Sequence, residues 1–133
     1  MALTILDAGV VIGVLDAGDP HHAAARKALA AALHRGDAVA VPASAYAEAQ
    51  VGPARRGRAA IRSLDEFLAD LPAEVEPITR QVAASAAQLR AKHGSRLRLP
   101  DALVLAAAIH LKASRVLTTD ARWPDVGVIV ERV

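Results

Sequence analysis

The sequence alternates short apolar runs with longer alanine-rich segments, and this alternation constrains the fold more than any other feature. The short runs are predicted strands over Leu3–Leu6, Ala38–Val41, Val75–Ile78, Val116–Leu117 and Val128–Val130. We expect the first four to be buried, as in a parallel sheet covered on both faces. The alanine-rich segments carry their charges on one side and predict helices over His21–Arg35, Ser44–Arg58, Ala59–Leu71, Thr79–Lys92 and Asp101–Lys112.

Strands that alternate with helices are joined by right-handed crossovers, which stack helices on both faces of a parallel sheet. Turn residues such as Gly18-Asp19-Pro20 and Arg35-Gly36-Asp37 end the helical stretches. The predicted fold class is therefore α/β, as a three-layer α/β/α sandwich around a central parallel sheet of four or five strands. At 133 residues, the chain is expected to form one domain over residues 1–133.

The composition excludes several classes of function. The absence of cysteine rules out disulfides and thiolate metal sites, and it favours a cytoplasmic location. Aromatic residues make up 2% of the chain, which is too few for modules that stack bases on aromatic rings. A net charge of +2 is too small for electrostatics alone to bind nucleic acid tightly. No apolar run approaches the roughly 20 residues that span a bilayer.

Four acidic residues occupy positions where an open parallel sheet binds ligands, beyond the carboxyl ends of its strands. Asp7 interrupts the apolar stretch LTILDAGVVIGVL, where an unpaired buried carboxylate costs several kcal/mol. Asp120 directly follows the fourth predicted strand. Glu48 lies one turn inside the helix after the second strand, with Ser44 as its expected cap, and Asp101 opens an apolar helix.

Each acid also has a simpler structural explanation. Asp101 suits a helix N-terminus, Asp120 an Asx-turn, Glu48 a solvated helix face and Asp7 a turn cap. If the four converge, however, each pair about 6 Å apart repels by roughly 3 kcal/mol at an effective dielectric constant of about 20. A bound cation relieves this repulsion, and hard oxygen ligands without cysteine favour Mg²⁺ or Mn²⁺. Such an ion activates a nucleophile and clamps a phosphate.

These motifs, in this order, resemble the PIN-domain ribonucleases and, among them, the VapC-like toxins of bacterial toxin–antitoxin pairs. The matching pieces cover essentially the whole chain: Leu6-Asp7-Ala8, Asp19-Pro20-His21-His22, Pro42-Ala43-Ser44-Ala45-Tyr46-Ala47-Glu48, Leu99-Pro100-Asp101-Ala102-Leu103 and Leu117-Thr118-Thr119-Asp120-Ala121-Arg122-Trp123. The resemblance implies a sheet ordered 3-2-1-4-5 and an endoribonuclease dependent on Mg²⁺ or Mn²⁺. It implies a catalytic and metal-binding acidic quartet, with Asp7 and Asp101 as the main ligands and Glu48 and Asp120 in support.

The resemblance also implies a homodimer, an RNA substrate and a small VapB-like antitoxin whose tail enters the acidic groove. Thr118 matches a position whose hydroxyl braces the site. The preferred candidates for contacts with the RNA backbone are Arg96 and Arg98, shortly before the third acid, and then Arg122. A packing role is the simplest interpretation of Trp123, with the rim of the groove as the alternative.

Gly9 departs from the family pattern, which has Ser, Thr or Asn two residues after the first acid. The expected consequence is the loss of a supporting hydrogen bond and a weaker site, unless a backbone N–H or a water molecule takes over. This departure keeps open a second function, a catalytically weak or inactive PIN scaffold that binds RNA or a protein partner. The four retained acids argue against it, because a dead site has no need of mutually repelling carboxylates.

A third function class is another α/β phosphate enzyme. A HAD-type phosphatase needs Asp-x-Asp after the first strand, where this chain has Asp7-Ala8-Gly9. A receiver domain needs paired acids and a lysine after the last strand, and the sequence has neither. It also has no Gly-rich phosphate loop. The sequence therefore favours the metal-dependent ribonuclease.

Overall fold

The computed structural model describes residues 1–120 and 122–133, which form five strands, six α-helices and one 3₁₀ helix. The strands are β1 (Leu3–Leu6), β2 (Ala38–Pro42), β3 (Ala73–Glu76), β4 (Arg115–Thr118) and β5 (Val130–Arg132). The helices are α1 (Ala8–Leu15), α2 (His22–His34), α3 (Ala43–Arg56), α4 (Arg58–Asp70), α5 (Arg80–His93) and α6 (Leu99–His110), with the 3₁₀ helix at Gly94–Arg96.

All five strands are parallel and lie in the order β3-β2-β1-β4-β5. In the centre of the sheet, Ile5 of β1 pairs with Ala40 of β2 on one side and Val116 of β4 on the other. The expected three-layer α/β/α architecture and strand order are confirmed. The order of the strands along the chain reverses between β1 and β4, so the carboxyl ends of these two strands flank the switch point where open sheets bind ligands.

The chain first runs outward from β1 through β2 to β3, and it then returns across the sheet to β4. Because the direction of the crossovers reverses, helices cover both faces of the sheet. Right-handed crossovers place α1 to α4 on one face and α5 and α6 on the other. One buried cluster joins β1, β2 and β4 to the first four helices and, through Val104 and Ala108, to α6, and a second lies mainly between α5 and α6. Helix α6 is buried over most of its length, as its apolar sequence predicted. Across the part of the chain that the structure describes, every helix falls short of the length and apolarity that a bilayer crossing needs.

The two edge strands differ from their predicted positions and burial. β3 covers Ala73–Glu76 instead of Val75–Ile78, and β5 covers Val130–Arg132 instead of Val128–Val130. β3 was expected to be buried, but its two middle residues are exposed. An edge strand has a neighbour on one side only, so charged side chains such as Glu74 are accommodated there and an apolar pattern no longer marks the strand.

A partly buried hydrogen bond ties β1 to the start of β2 at the end of the sheet opposite the switch point. The hydroxyl of Thr4, which is 0% exposed, donates to Asp37 at 2.9 Å. Arg35 pairs with the same carboxylate oxygen at 3.0 Å. Burial alone raises the pKa of Asp37, but the hydrogen bonds from Thr4 and Arg35 outweigh it and lower the pKa below its ordinary value. The charged carboxylate is therefore a stabilising element at neutral pH.

We expect Thr4→Val to lower the free energy of unfolding by about 1 kcal/mol, because it preserves shape and removes one hydrogen bond to a buried carboxylate. Urea denaturation at neutral pH measures this loss. The control is the same substitution in an Asp37→Ala background, where the effect should largely disappear. An equal loss in both backgrounds would mean that the hydrogen bond is not its source.

Candidate active site

Asp7 lies at the junction of β1 and α1 and caps the helix. Its Oδ1 accepts a hydrogen bond from the backbone N–H of Ala8 at 2.8 Å. Its Oδ2 accepts from the hydroxyl of Thr118, at the end of β4, at 2.8 Å. Both donors are neutral. Burial therefore dominates and raises the pKa of Asp7, although the hydrogen bonds from Thr118 and Ala8 oppose it; the charges of Asp101 and Asp120 raise it further.

Thr118 connects the first acid to the fourth. Its side chain is 0% exposed, and its hydroxyl accepts a hydrogen bond from the backbone N–H of Asp120 at 3.0 Å while donating to Asp7. The Asp120 carboxylate accepts from the backbone N–H of Arg122 at 2.9 Å. Asp120 thus makes the Asx-turn that its local sequence allows, and the turn also fixes the carboxylate beside the switch point.

Glu48 and Asp101 reach the same region from two helices. Asp101 lies in the first turn of α6, and Glu48 lies in α3, just after β2. Burial raises the pKa of Asp101, the nearby Arg98 lowers it, and the charge of Asp120 raises it. Partial burial raises the pKa of Glu48, and the charges of Asp7 and Asp101 add to this effect. Glu48 is the most exposed of the four acids, and the other three are more deeply buried.

The fold therefore brings the four predicted acids into one electrostatic cluster, in which Asp7 interacts with each of the other three. Within residues 1–120 and 122–133, however, no three acidic or histidine side chains are close enough to ligate a single ion together. Mg²⁺ keeps several water molecules and commonly takes only one or two carboxylates directly. The donor set consequently fits a hydrated divalent ion better than a fully dehydrated one.

Two polar side chains that lie close to these acids along the chain, Ser44 before Glu48 and Trp123 after Asp120, are buried in the fold. Ser44 was expected to cap α3, but β2 continues directly into the helix, which begins after Pro42, and Ser44 lies within its first turn. Among the described residues, the hydroxyl of Ser44 and the indole N–H of Trp123 are buried without a hydrogen bond of regular geometry. The indole is near enough to lower the pKa of Asp101. Only the tertiary fold shows that both polar atoms are buried and that the indole lies near Asp101, 22 positions away in the sequence.

Gly9, the departure from the family pattern, faces a side chain from the end of β4. A Cβ built on Gly9 would overlap the hydroxyl oxygen of Thr119, and it would lie 3.3 Å from the Cβ and the Cγ2 of that residue. The space left by the missing side chain is thus filled by another hydroxyl.

The three candidate arginines have different surroundings. The side chain of Arg98 is 76% exposed, and its Nε lies 3.7 Å from the Oδ2 of Asp101. Arg96 ends the 3₁₀ helix and is exposed, and Arg122 is exposed beside the Asx-turn of Asp120. Trp123 is partly buried and packs against both core clusters, as its packing interpretation predicts. The arginines remain candidates for phosphate contacts, with Arg98 the one paired to an acid of the cluster.

We expect Asp7→Asn to make the protein more stable at neutral pH when a chelator is present. Asparagine can still cap α1, and it removes a charge that burial disfavours. The pKa of Asp7 is higher in the folded protein than in the unfolded chain, where it is about 3.8. Protonated Asp7 therefore stabilises the wild-type fold fully below that pH, and this stabilisation is lost as the pH rises through the folded-state pKa. The stabilisation by Asp7→Asn should therefore fade on acidification, as thermal melts over a pH series would show.

Asp37→Asn is the matched control, because the pKa of Asp37 is lowered and its charge stabilises the folded state above the unfolded pKa. It should be less stable than wild type at neutral pH. If Asp7→Asn also destabilised the protein, the charge of Asp7 would be compensated by the protein itself without metal, which would contradict the prediction.

Comparison with known proteins identifies the family of this chain. Residues 4–129 match the PIN domain family model. No curated protein sequence matches the chain.

Solved structures share the fold. The VapBC2 complex of Rickettsia felis, bound to a promoter DNA fragment, superposes with a TM-score of 0.74 at 17% identity over 98% of each chain. VapC20 of Mycobacterium tuberculosis, described as a sarcin–ricin loop cleaving toxin, gives 0.68 at 18% identity over 85% of this chain and 86% of that one. VapBC-5 of Mycobacterium tuberculosis gives 0.63 at 26% identity over 100% of both. The family model spans nearly the whole sequence and the fold agrees, so this chain belongs to the PIN domain family.

Proposed function

We propose that this protein is a VapC-like toxin, an endoribonuclease dependent on Mg²⁺ or Mn²⁺ that hydrolyses RNA phosphodiester bonds at the quartet Asp7, Glu48, Asp101 and Asp120. The observation that carries the proposal is the electrostatic cluster, in which burial and mutual repulsion raise the pKa values of Asp7, Glu48 and Asp101. A fold that keeps these carboxylates together and holds Asp7 by the neutral donors Thr118 and Ala8 favours the uptake of a positive ion.

The chemistry of the donors supports a hard divalent ion. The cluster offers carboxylate oxygens, and the buried hydroxyl of Ser44 is a further oxygen nearby on α3. Asp7 and Asp101 are the proposed main ligands, with Glu48 and Asp120 holding the ion through water or orienting the attacking water. When bound, the ion would stabilise the charge that develops on the phosphate and lower the pKa of a coordinated water.

The remaining residues have positioning and binding roles in this proposal. Thr118 fixes the orientation of the Asp7 carboxylate by its 2.8 Å hydrogen bond. Glu48, exposed and with a raised pKa, is the acid best placed to accept a proton from water. Arg96, Arg98 and Arg122 are the proposed contacts with the RNA backbone.

The proposal extends to partners. Structural neighbours are VapBC toxin–antitoxin complexes, and one neighbouring toxin is described as cleaving the sarcin–ricin loop. We propose by analogy that the protein forms a homodimer, acts on RNA in the cytoplasm and is inhibited by a VapB-like antitoxin.

We expect Asp101→Asn to reduce metal-dependent RNA cleavage at least about 100-fold while the protein stays folded, because the substitution removes a proposed ligand and keeps the shape of the side chain. Total bacterial RNA and a synthetic sarcin–ricin stem-loop are suitable substrates, each incubated with Mg²⁺, Mn²⁺ or a chelator. Glu66→Gln, on the exposed face of α4, is the matched control and should retain full activity. Cleavage that survives in Asp101→Asn would refute the assignment, and RNA binding without cleavage by wild type would favour a binding scaffold.

Arg96→Ala and Arg98→Ala should each weaken RNA binding and flatten its salt dependence, by about 0.7 to 0.9 in the logarithmic slope per lost phosphate contact. Fluorescence anisotropy in a chelator, over a series of salt concentrations, measures the slope without cleavage. Arg26→Ala, exposed on α2, is the control and should leave the slope unchanged. An unaltered slope for Arg96→Ala or Arg98→Ala would exclude that residue as a phosphate contact.

A further inference from the structure

We propose that the hydroxyl of Thr119 is a positioning group of the acidic site, seated in the space that glycine at position 9 leaves free. The inference rests on the proposed function, because it concerns how the site holds a hydrated divalent ion. Thr119 belongs to none of the roles assigned above.

Glycine at position 9 provides room for this hydroxyl. Gly9 lies in the first turn of α1, where glycine disfavours the helix relative to alanine. The glycines with positive φ angles are Gly36, Gly57, Gly94 and Gly127, so the backbone at Gly9 does not require glycine. What a side chain there would meet is Thr119, and its hydroxyl oxygen is nearer than its methyl group. The absence of a side chain at Gly9 therefore provides the space that the Thr119 hydroxyl occupies.

The position of this hydroxyl relates it to two of the acids. Thr119 stands between Thr118, whose hydroxyl binds Asp7, and Asp120, whose backbone N–H donates to Thr118. Gly9 is two residues beyond Asp7 at the start of α1. The Thr119 hydroxyl thus lies against Gly9, where the end of β4 meets the first turn of α1, in the segments that carry Asp7 and Asp120.

A threonine hydroxyl suits this place chemically because it donates one hydrogen bond and accepts two. The carboxylates of the cluster accept hydrogen bonds or ligate a metal when they are charged. An ion that keeps several waters needs neutral partners that orient those waters without adding negative charge. Thr119 would supply such a partner, acting through water rather than as a ligand.

The first test compares Thr119→Val with Thr119→Ser by calorimetry of Mn²⁺ binding, without RNA. Valine keeps the shape and loses the hydroxyl, so Mn²⁺ affinity should fall about 10-fold, the lower range for loss of a group that supports a metal site. Serine keeps the hydroxyl and should bind Mn²⁺ much as wild type does. Ser85→Ala, on the exposed face of α5, is the control for loss of a remote hydroxyl. Affinity unchanged in Thr119→Val, or equally weakened in Thr119→Ser, would overturn the inference.

The second test uses Gly9→Ala, whose new Cβ displaces the hydroxyl without altering Thr119 itself. Mn²⁺ affinity should fall as it does in Thr119→Val. In a Thr119→Ala background the added methyl meets only a Cβ at 3.3 Å, so the further loss should be small. An equal loss in both backgrounds would show that alanine acts through the helix, which would contradict the role of the hydroxyl.

Mn²⁺ binding and RNA cleavage by the wild-type protein distinguish a failure of this inference from a failure of the proposed function. If wild type binds Mn²⁺ and cleaves RNA while Thr119→Val is indistinguishable from it in both assays, only the role of Thr119 is overturned. If wild type takes up no Mn²⁺ and cleaves no RNA, both proposals are overturned. Circular dichroism melts of each variant identify any loss of affinity that comes from unfolding.

Discussion

The buried carboxylate of Asp7 is the constraint on which the candidate site depends. It caps α1, it receives the Thr118 hydroxyl from β4, and it lies next to the point where the order of the strands reverses. These neutral hydrogen bonds orient the charge but do not offset its burial, because the pKa of Asp7 remains raised. The same residue therefore joins β1, α1 and β4 and leaves the region in need of positive charge. The buried carboxylate of Asp7 is thus the source both of the contacts that order this region and of its unfavourable electrostatic energy.

The sequence predicted much of the architecture because the central strands and the helices are governed by local patterns. β1 was placed at its observed bounds, and each of the five helices predicted by bounds is present within two residues at either end. The strand order came from the family resemblance, since no local pattern encodes which strands pair. The bounds of β3 and β5 were predicted wrongly because edge strands tolerate charged residues. Glu74 and Glu131 interrupt the apolar run that would otherwise mark each strand.

The convergence of the four acids was predictable for a different reason. A carboxylate directly after a buried strand, or at the start of an apolar helix, stands out against its neighbours in sequence. Ser44, Trp123 and Thr119 do not stand out, because a hydroxyl or an indole is ordinary in a turn or a core. Their surroundings come from contacts such as the close approach of Thr119 to Gly9, 110 positions apart, which only the folded chain creates.

The electrostatics of the cluster also account for the position of Arg98. Its charge lowers the pKa values of both Asp101 and Glu48, yet its side chain is 76% exposed and its contact with Asp101 is 3.7 Å long. An exposed pair of this kind contributes at most about 1 kcal/mol. Arg98 can therefore moderate the repulsion among the acids and yet be released from Asp101 at little cost. Because the neutral donors Thr118 and Ala8 hold Asp7, the charge of this most buried acid stays available to the divalent ion that we propose.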